Sequence, residues 1–401
     1  MTPRCRPADH FSRRTLLKGA LASATGAAFM NWGELFNSAA RAREVTKEQK
    51  SCILIWLNGG ASQFETFDMK VGRPTGGPFR PIQTNVVGAQ ICELMPKMAQ
   101  QMDKIAVIRS MRTSQIDHPG GIHLMHTGYG PSANIRYPEV GAICAKFLGR
   151  DKPDLPNFIK ISSNGDAGAG FLGPNYQPFG LDHDGKLPQF AKSNLDPKIE
   201  ANRNDLRNFV EDAFAQDRKV EVAGMHREAY ESVRRLQKAL KVFDIEQEWT
   251  KHRDLYGDSK IGKGCMLARQ LVEAGVAFVE VGQSGYDTHA DNFSGHKGLV
   301  PPMDQAWAGL LTDLHQRGLL KNTLVVWMGE IGRTPSINNR SGRDHYVRAW
   351  STALAGARIK PGVVYGETDL DGKDVKDKPV TEGDFFATIY KALGMNPDKE
   401  N

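Results

Sequence analysis

Four side chains define the chemistry this sequence can support: Asp287, His289, Glu330 and His345. Carboxylate oxygens and imidazole nitrogens form a mixed donor set of the kind that zinc, manganese or iron accepts. Asp287 and His289 stand two positions apart just past an apolar run, so in an extended chain their side chains point the same way and one cation can bind both. His345 follows Gly342-Arg-Asp344, a turn-like approach that can bring an imidazole in from the side. The same spacing also fits an arrangement without metal, in which Asp287 caps a turn, Glu330 caps a helix and the histidines pair with them. Asp291 and His296 are close enough in sequence to substitute in a metal shell.

Further candidates surround this set. Asn58 stands where a metal-binding Asp would fit, but it offers a cation only an amide oxygen, so a hydrogen bond to substrate or to a neighbouring ligand is the expected role. Asp117 and His118 precede a helix and can supply a base, a metal ligand or a nucleophile. His123 and His126 read as helix-face residues. Arg333 and Arg343 can fork onto a phosphate or sulfate, or bridge to Glu330 or Asp344. Ser62 reads as a helix cap and not a nucleophile. Glu65 and Asp68 suit a surface turn or contacts behind the ligands.

The elements that must position these residues alternate. Ser51 to Leu57 is a continuous apolar run ending at Asn58-Gly-Gly60, and reads as a buried strand. Val276 to Val281 leads to Asp287, and Thr323 to Met328 leads to Glu330, so three strand ends feed polar residues, where sites in open α/β sheets lie. Short strands are expected at Ile105 to Ile108, Asn157 to Ile161 and Ser351 to Ala355. Helices are expected at 96–102, 118–127, 138–148, 264–274, 303–317 and 381–393. The amino end of the 118–127 helix should face the site and favour an anion. Residues 162–195 read as a long surface excursion, and its Gly165-to-Gly170 stretch lacks the spacing of a nucleotide fingerprint. Residues 196–258 carry apolar positions at helical spacing, as a helical insertion laid over the sheet. Alternation of this kind predicts a mostly parallel sheet with helices on both faces.

At 401 residues, with 40% apolar and 24% charged side chains, the chain has an ordinary globular composition. Ser12-Arg-Arg-Thr-Leu-Leu-Lys18, a weakly apolar stretch and Ala40-Arg-Ala42 read as a twin-arginine (Tat) export signal over residues 1–42, leaving one domain over 43–401. That reading makes the Tat translocon a partner and the location periplasmic or extracellular. Removing the leader's six Lys/Arg and two acids leaves 46 basic against 44 acidic side chains, a net +2 that gives no reason to expect nucleic acid. No later apolar run approaches a membrane span. Cys52, Cys92, Cys144 and Cys265 are widely spaced and read as buried thiols, with no zinc knuckle or redox pair. The chain stops at Asn401 soon after its last expected helix, which reads as an incomplete C-terminus.

An ordered set of motifs completes the reading: Leu57-Asn-Gly-Gly-Ala-Ser-Gln-Phe-Glu-Thr-Phe-Asp68, His118-Pro-Gly-Gly121, Thr127-Gly-Tyr129, Tyr286-Asp-Thr-His289, Gly329-Glu-Ile-Gly-Arg-Thr-Pro335 and Gly342-Arg-Asp-His345. Together, over roughly residues 51–395, they resemble the exported sulfatase-like family called domain of unknown function 1501, which looks like a branch of the alkaline phosphatase superfamily. The resemblance implies an α/β fold, an alkaline-phosphatase-like three-layer sandwich with a mostly parallel central sheet and a helical insertion. It also exposes departures. The superfamily's first-strand Asp ligand falls on Asn58, its later Asp-His or Asp-Asn pair on Glu330 and Ile331, and its nucleophile on His118. One metal site is therefore depleted. The other keeps Asp287 and His345, with His289 the nearest partner although the usual spacing points to Asp291.

The expected function is an exported hydrolase of phosphate or sulfate esters using a divalent metal, either zinc, manganese or calcium. Asp287, His289 and His345 bind it, Glu330 completes the shell or acts as base, and His118 with Asp117 faces the scissile group. Asn58, Arg333 and Arg343 meet the anionic ester. The alternative is a noncatalytic binding or scaffold protein that keeps a degenerate sulfatase-like fold. A third reading is an isomerase or mutase of phosphorylated metabolites.

Overall fold

The computed structural model describes residues 49–151, 153–163, 167–187, 195–218, 235–236 and 239–398. The expected export signal lies outside the described residues. Eight strands form the main sheet: β1 Ser51–Asn58, β2 Ile105–Met111, β3 Phe158–Ile161, β4 Phe179–Leu181, β5 Phe278–Ser284, β6 Thr323–Met328, β7 Trp350–Gly356 and β8 Val363–Tyr365. Their spatial order is β8-β2-β7-β6-β1-β5-β3-β4. β7 runs antiparallel to both its neighbours, and every other pairing is parallel.

β1 is central because both of its faces are covered: every residue from Ser51 to Leu57 is buried. Successive strand side chains point to opposite faces, and the two sets enter different cores. Ile53, Ile55 and Leu57 pack with side chains of three helices on one face, α3 Glu246–Tyr256, α4 Lys260–Glu273 and α5 Asn292–Gln316. Cys52, Leu54 and Trp56 pack toward α1 His118–Thr127, α2 Val140–Leu148 and α6 Glu382–Ala392. Full burial of one such apolar side chain is worth about 1.5–3 kcal/mol, so the two layers pin the sheet in register. The result is the expected three-layer α/β sandwich. All four described cysteines are free and buried, as the sequence suggested.

Several boundaries differ from expectation. α4 starts at Lys260, where Ser259 accepts the Gly262 N–H, four residues ahead of the expected Gly264. α5 begins at Asn292 and contains Pro301 and Pro302, which in sequence look like a helix boundary. The stretch 162–195 is not wholly surface loop: Phe179–Leu181 adds an edge strand beside β3. Three-residue strands such as β4 and β8 are too short for a period to show. Within 196–258 the described residues form the helix Pro197–Arg218, a short turn of helix at Leu240–Phe243 and α3. Among the described residues no helix is long and apolar enough to cross a membrane.

Candidate metal centre

The site forms beyond the carboxyl ends of β1, β5 and β6. After β5 the chain passes Gly285 and the buried Tyr286, whose N–H donates to the Asn58 carbonyl at 3.2 Å. This lays Asp287 across the tip of β1. Gly59 is required there: its φ is +106°, and a Cβ would stand 2.3 Å from the Asp287 nitrogen. Gly342 plays the same part for His289, since a Cβ on it would lie 2.0 Å from the His289 carbonyl oxygen. His345 opens a two-residue strand paired antiparallel with Gly332–Arg333, and this register sets it opposite Arg333. His118 is the first residue of α1, and Asp117 caps that helix by accepting the Gly120 N–H at 2.8 Å.

Three imidazoles converge on one carboxylate oxygen. Asp287 Oδ1 lies 3.2 Å from His118 Nε2, 3.0 Å from His289 Nε2 and 3.3 Å from His345 Nε2. The Nε2 atoms of His289 and His345 are 3.0 Å apart. One ligand atom from each of the four residues lies within 4.8 Å of every other. On their far sides the rings are tied down: His118 Nδ1 to Glu330 Oε1 at 2.8 Å, His289 Nδ1 to Asp344 Oδ1 at 2.6 Å, and His345 Nδ1 to the Ile116 carbonyl at 2.8 Å.

Fixed charges bias these groups. Burial works to raise the Asp287 carboxyl, but the Arg333 hydrogen bond and charge outweigh it and hold the group down at about 2. The hydrogen bond that His118 makes to Glu330 raises it against the opposing effect of burial. His345 is lowered, first by burial and then by the charges of Arg333 and His118.

The structure brings Asp287, His289 and His345 together and places His118 with them. Glu330 stands one layer back: it is fully buried, its Oε1 accepts the Gly59 N–H at 2.7 Å as well as the His118 contact, and its Oε2 has no hydrogen-bond partner. The expected anion grip by the arginines meets a different arrangement. Arg343 is wholly buried, and its five N–H groups go to Glu65 and to the carbonyls of Thr334, Pro335 and Thr75. Arg333 is equally buried and gives its donors to Asp287, Gly59 O, Gly60 O and Arg343 O. Neither has a fork to spare for a substrate, because desolvating a guanidinium requires its donors to be satisfied within the protein. The first turn of α1 is likewise taken up by Asp117, which acts as a cap.

His296 is excluded as a ligand by its own bonds. Its Nε2 accepts the Ser62 N–H at 3.0 Å and its Nδ1 lies 2.9 Å from the Asn292 carbonyl. Asp291 sits at the start of α5 in a left-handed conformation, φ 49°, outside the cluster. Asn58 ends β1 half-buried, and its carbonyl accepts the Tyr286 N–H.

The chain matches the model of the family described as "Protein of unknown function (DUF1501)" over residues 49–401. It belongs to that family. No curated protein matches the sequence. Solved structures similar to this DUF1501 chain include the PsFucS1 sulfatase from Pseudoalteromonas sp., at 12% identity and TM-score 0.42, covering 90% of this chain and 73% of that one. The C-terminal periplasmic domain of EcEptC from Escherichia coli, in complex with Zn, is 10% identical with TM-score 0.40 and 89% of each chain covered. Alkaline phosphatase from the Antarctic bacterium TAB5 is 12% identical with TM-score 0.36, covering 87% of this chain and 99% of that one. Likeness at this level does not carry an activity to the DUF1501 chain.

A second charged cluster, between the sheet and α1 and α2, was not foreseen. Lys160 on β3 and Glu280 on β5 are register partners. Lys160 Nζ lies 2.6 Å from Glu139 Oε2 and 3.7 Å from Glu280 Oε2, and His126 Nε2 lies 3.1 Å from Glu280 Oε1. His126, Glu139 and Glu280 have the composition of a metal set. The Lys160 ammonium already supplies their cation, so the cluster reads as a buried ion network. Charged residues inside Phe158-Ile-Lys-Ile161 and Phe278-Val-Glu-Val281 were the available signal, because a buried strand carries a charge only with a partner at hand.

Proposed function

We propose that this chain is an exported, metal-dependent hydrolase of phosphate or sulfate esters. The observation that carries the metal is the convergence of three imidazole nitrogens on Asp287 Oδ1, each ring oriented from behind by a hydrogen bond at Nδ1. Lone pairs this close repel unless protons or a cation lie between them, and three nitrogens with one carboxylate suit a divalent transition metal. Asp287, His289 and His345 are the ligands proposed first. The ion would supply Lewis acidity and an activated water for attack on the ester. Arg333 keeps Asp287 ionised and in position. Glu330 orients His118 through Nδ1. The ester class and the anionic substrate come from the motif resemblance, and periplasmic or extracellular location through the Tat translocon from the twin-arginine pattern at Ser12–Lys18.

The second reading is a binding or scaffold protein. It is favoured by one observation: Arg333, Arg343 and the amino end of α1 are all engaged within the protein. Assay of the purified, metal-loaded mature chain on aryl phosphate and aryl sulfate esters separates the two. Turnover that disappears with a chelator and returns with metal supports the hydrolase, whereas stoichiometric metal without turnover of any ester supports the binding protein.

A further inference from the structure

Resting on the metal centre of the proposed hydrolase, we infer that His118 is itself a metal ligand, and that the four-residue set selects a nitrogen-preferring ion such as Zn2+ over Ca2+ or Mg2+. Each of the three rings has its Nδ1 against a group that accepts: Glu330 Oε1, Asp344 Oδ1 and the Ile116 carbonyl. A carbonyl and ionised carboxylates take protons and give none, so each Nδ1 donates its hydrogen backward and each ring, when neutral, turns its Nε2 lone pair toward Asp287. Three lone pairs and a carboxylate oxygen then meet in one place. His289 Nε2 and His345 Nε2, 3.0 Å apart, cannot hydrogen-bond as two acceptors. A cation satisfies all four at once.

His118 shares with the other two an Nδ1 held from behind and an Nε2 beside Asp287 Oδ1. Its ring lies 4.3 Å, centroid to centroid, from that of His345. Its Nε2 is out of contact with solvent and lies 3.2 Å from Asp287 Oδ1. A nitrogen that attacks or protonates a substrate must face the open side of the site, and this one faces the ligand cluster. Its orienting partner Glu330 is fully buried and pinned by the Gly59 N–H, the arrangement expected behind a metal-bound imidazole. The position at the start of α1 is therefore assigned to holding the ion and not to a covalent intermediate. Ca2+ takes six to eight oxygen ligands and Mg2+ an octahedral oxygen shell, whereas imidazoles suit Zn2+ and its transition-metal neighbours.

The test is calorimetric titration of the chelator-stripped chain with Zn2+ and, separately, Ca2+, on the native sequence and on His118→Ala and Glu330→Gln. The expected results are one Zn2+ per chain, no Ca2+ binding at matched concentration, and a loss of Zn2+ affinity of about 100-fold or more for His118→Ala and about 10–100-fold for Glu330→Gln. His118→Asp, which restores an oxygen ligand, keeps the fold question separate: it should recover part of the affinity and shift the visible absorption bands of the Co2+-loaded chain. One Zn2+ bound by His118→Ala as tightly as by the native chain would overturn the ligand assignment and leave the hydrolase proposal standing. Preference for Ca2+ would overturn the selectivity. No metal bound by the native chain would remove both this inference and the proposal beneath it.

Discussion

Arg333 Nη2 donates to Asp287 Oδ1 at 2.8 Å, and the guanidinium is completely buried while the Asp287 side chain is 46% exposed. The rest of the fork is fixed by carbonyls of Gly59, Gly60 and Arg343, so the carboxylate is presented from a rigid, desolvated platform. Lysine has the charge but cannot reproduce this geometry. Arg333→Lys should therefore lower metal affinity by about 10–100-fold. Metal titration of the purified variant measures this, and unchanged affinity would mean that Asp287 is held by something else.

Arg343 is a second buried guanidinium with a different task. It pairs with Glu65 at 2.9 Å and lies over the Phe64 ring, 4.4 Å from carbon to centroid. Arg343→Lys should cost about 1–3 kcal/mol by stranding carbonyl acceptors. Denaturant unfolding reads that loss. In the folded fraction KM for anionic esters should stay at the native value, and a specific rise in KM would restore Arg343 as a substrate residue.

The ion network under the sheet should govern acid stability. Burial works to raise the Glu280 carboxyl, but the charges of Lys160 and His126 outweigh it and hold it at about 2, below its ordinary 4.5. A depressed acid contributes stability that is present above 4.5 and is lost as pH falls toward 2. The facing groups act in the other direction: His126 and Lys160 are raised, each by its carboxylate partners against burial, so their contributions fade only as pH rises through those raised values. Unfolding free energy measured from pH 6 down to pH 2 should fall less steeply in Glu280→Gln than in the native chain. Identical slopes would show that Glu280 is not ionised in the fold.

Removing the cation of that network tests it from the other side. Lys160→Met leaves Glu139 and Glu280 buried without their ammonium and should destabilise the chain by about 3–5 kcal/mol. Adding Glu280→Gln to Lys160→Met should recover part of the loss, because the uncompensated charge is gone. Additive losses in the double variant would contradict a coupled pair.

The sheet was legible because β1, β5 and β6 are long apolar runs that end abruptly in Gly and polar residues, and that pattern survives without tertiary information. The trio Asp287, His289 and His345 was legible for the same reason, since each follows a strand end or a glycine-led turn. His118 was visible as a site residue, with base, metal ligand and nucleophile all left open. Its Nε2 direction depends on how Glu330, 212 positions away, holds the ring, and no spacing encodes that. Arg333 and Arg343 looked like anion clamps because sequence shows a charge and hides its partners. The start of α5 was missed because Pro301 and Pro302 imitate a helix boundary, and His126 because its partner Glu280 lies on a distant strand.

X-ray absorption at the metal edge of the purified protein tests the central claim most directly. The expected spectrum is that of one transition-metal ion per chain with three imidazole nitrogens and carboxylate oxygen in its shell. An all-oxygen shell, or a chain that binds no metal when supplied with Zn2+, would contradict it.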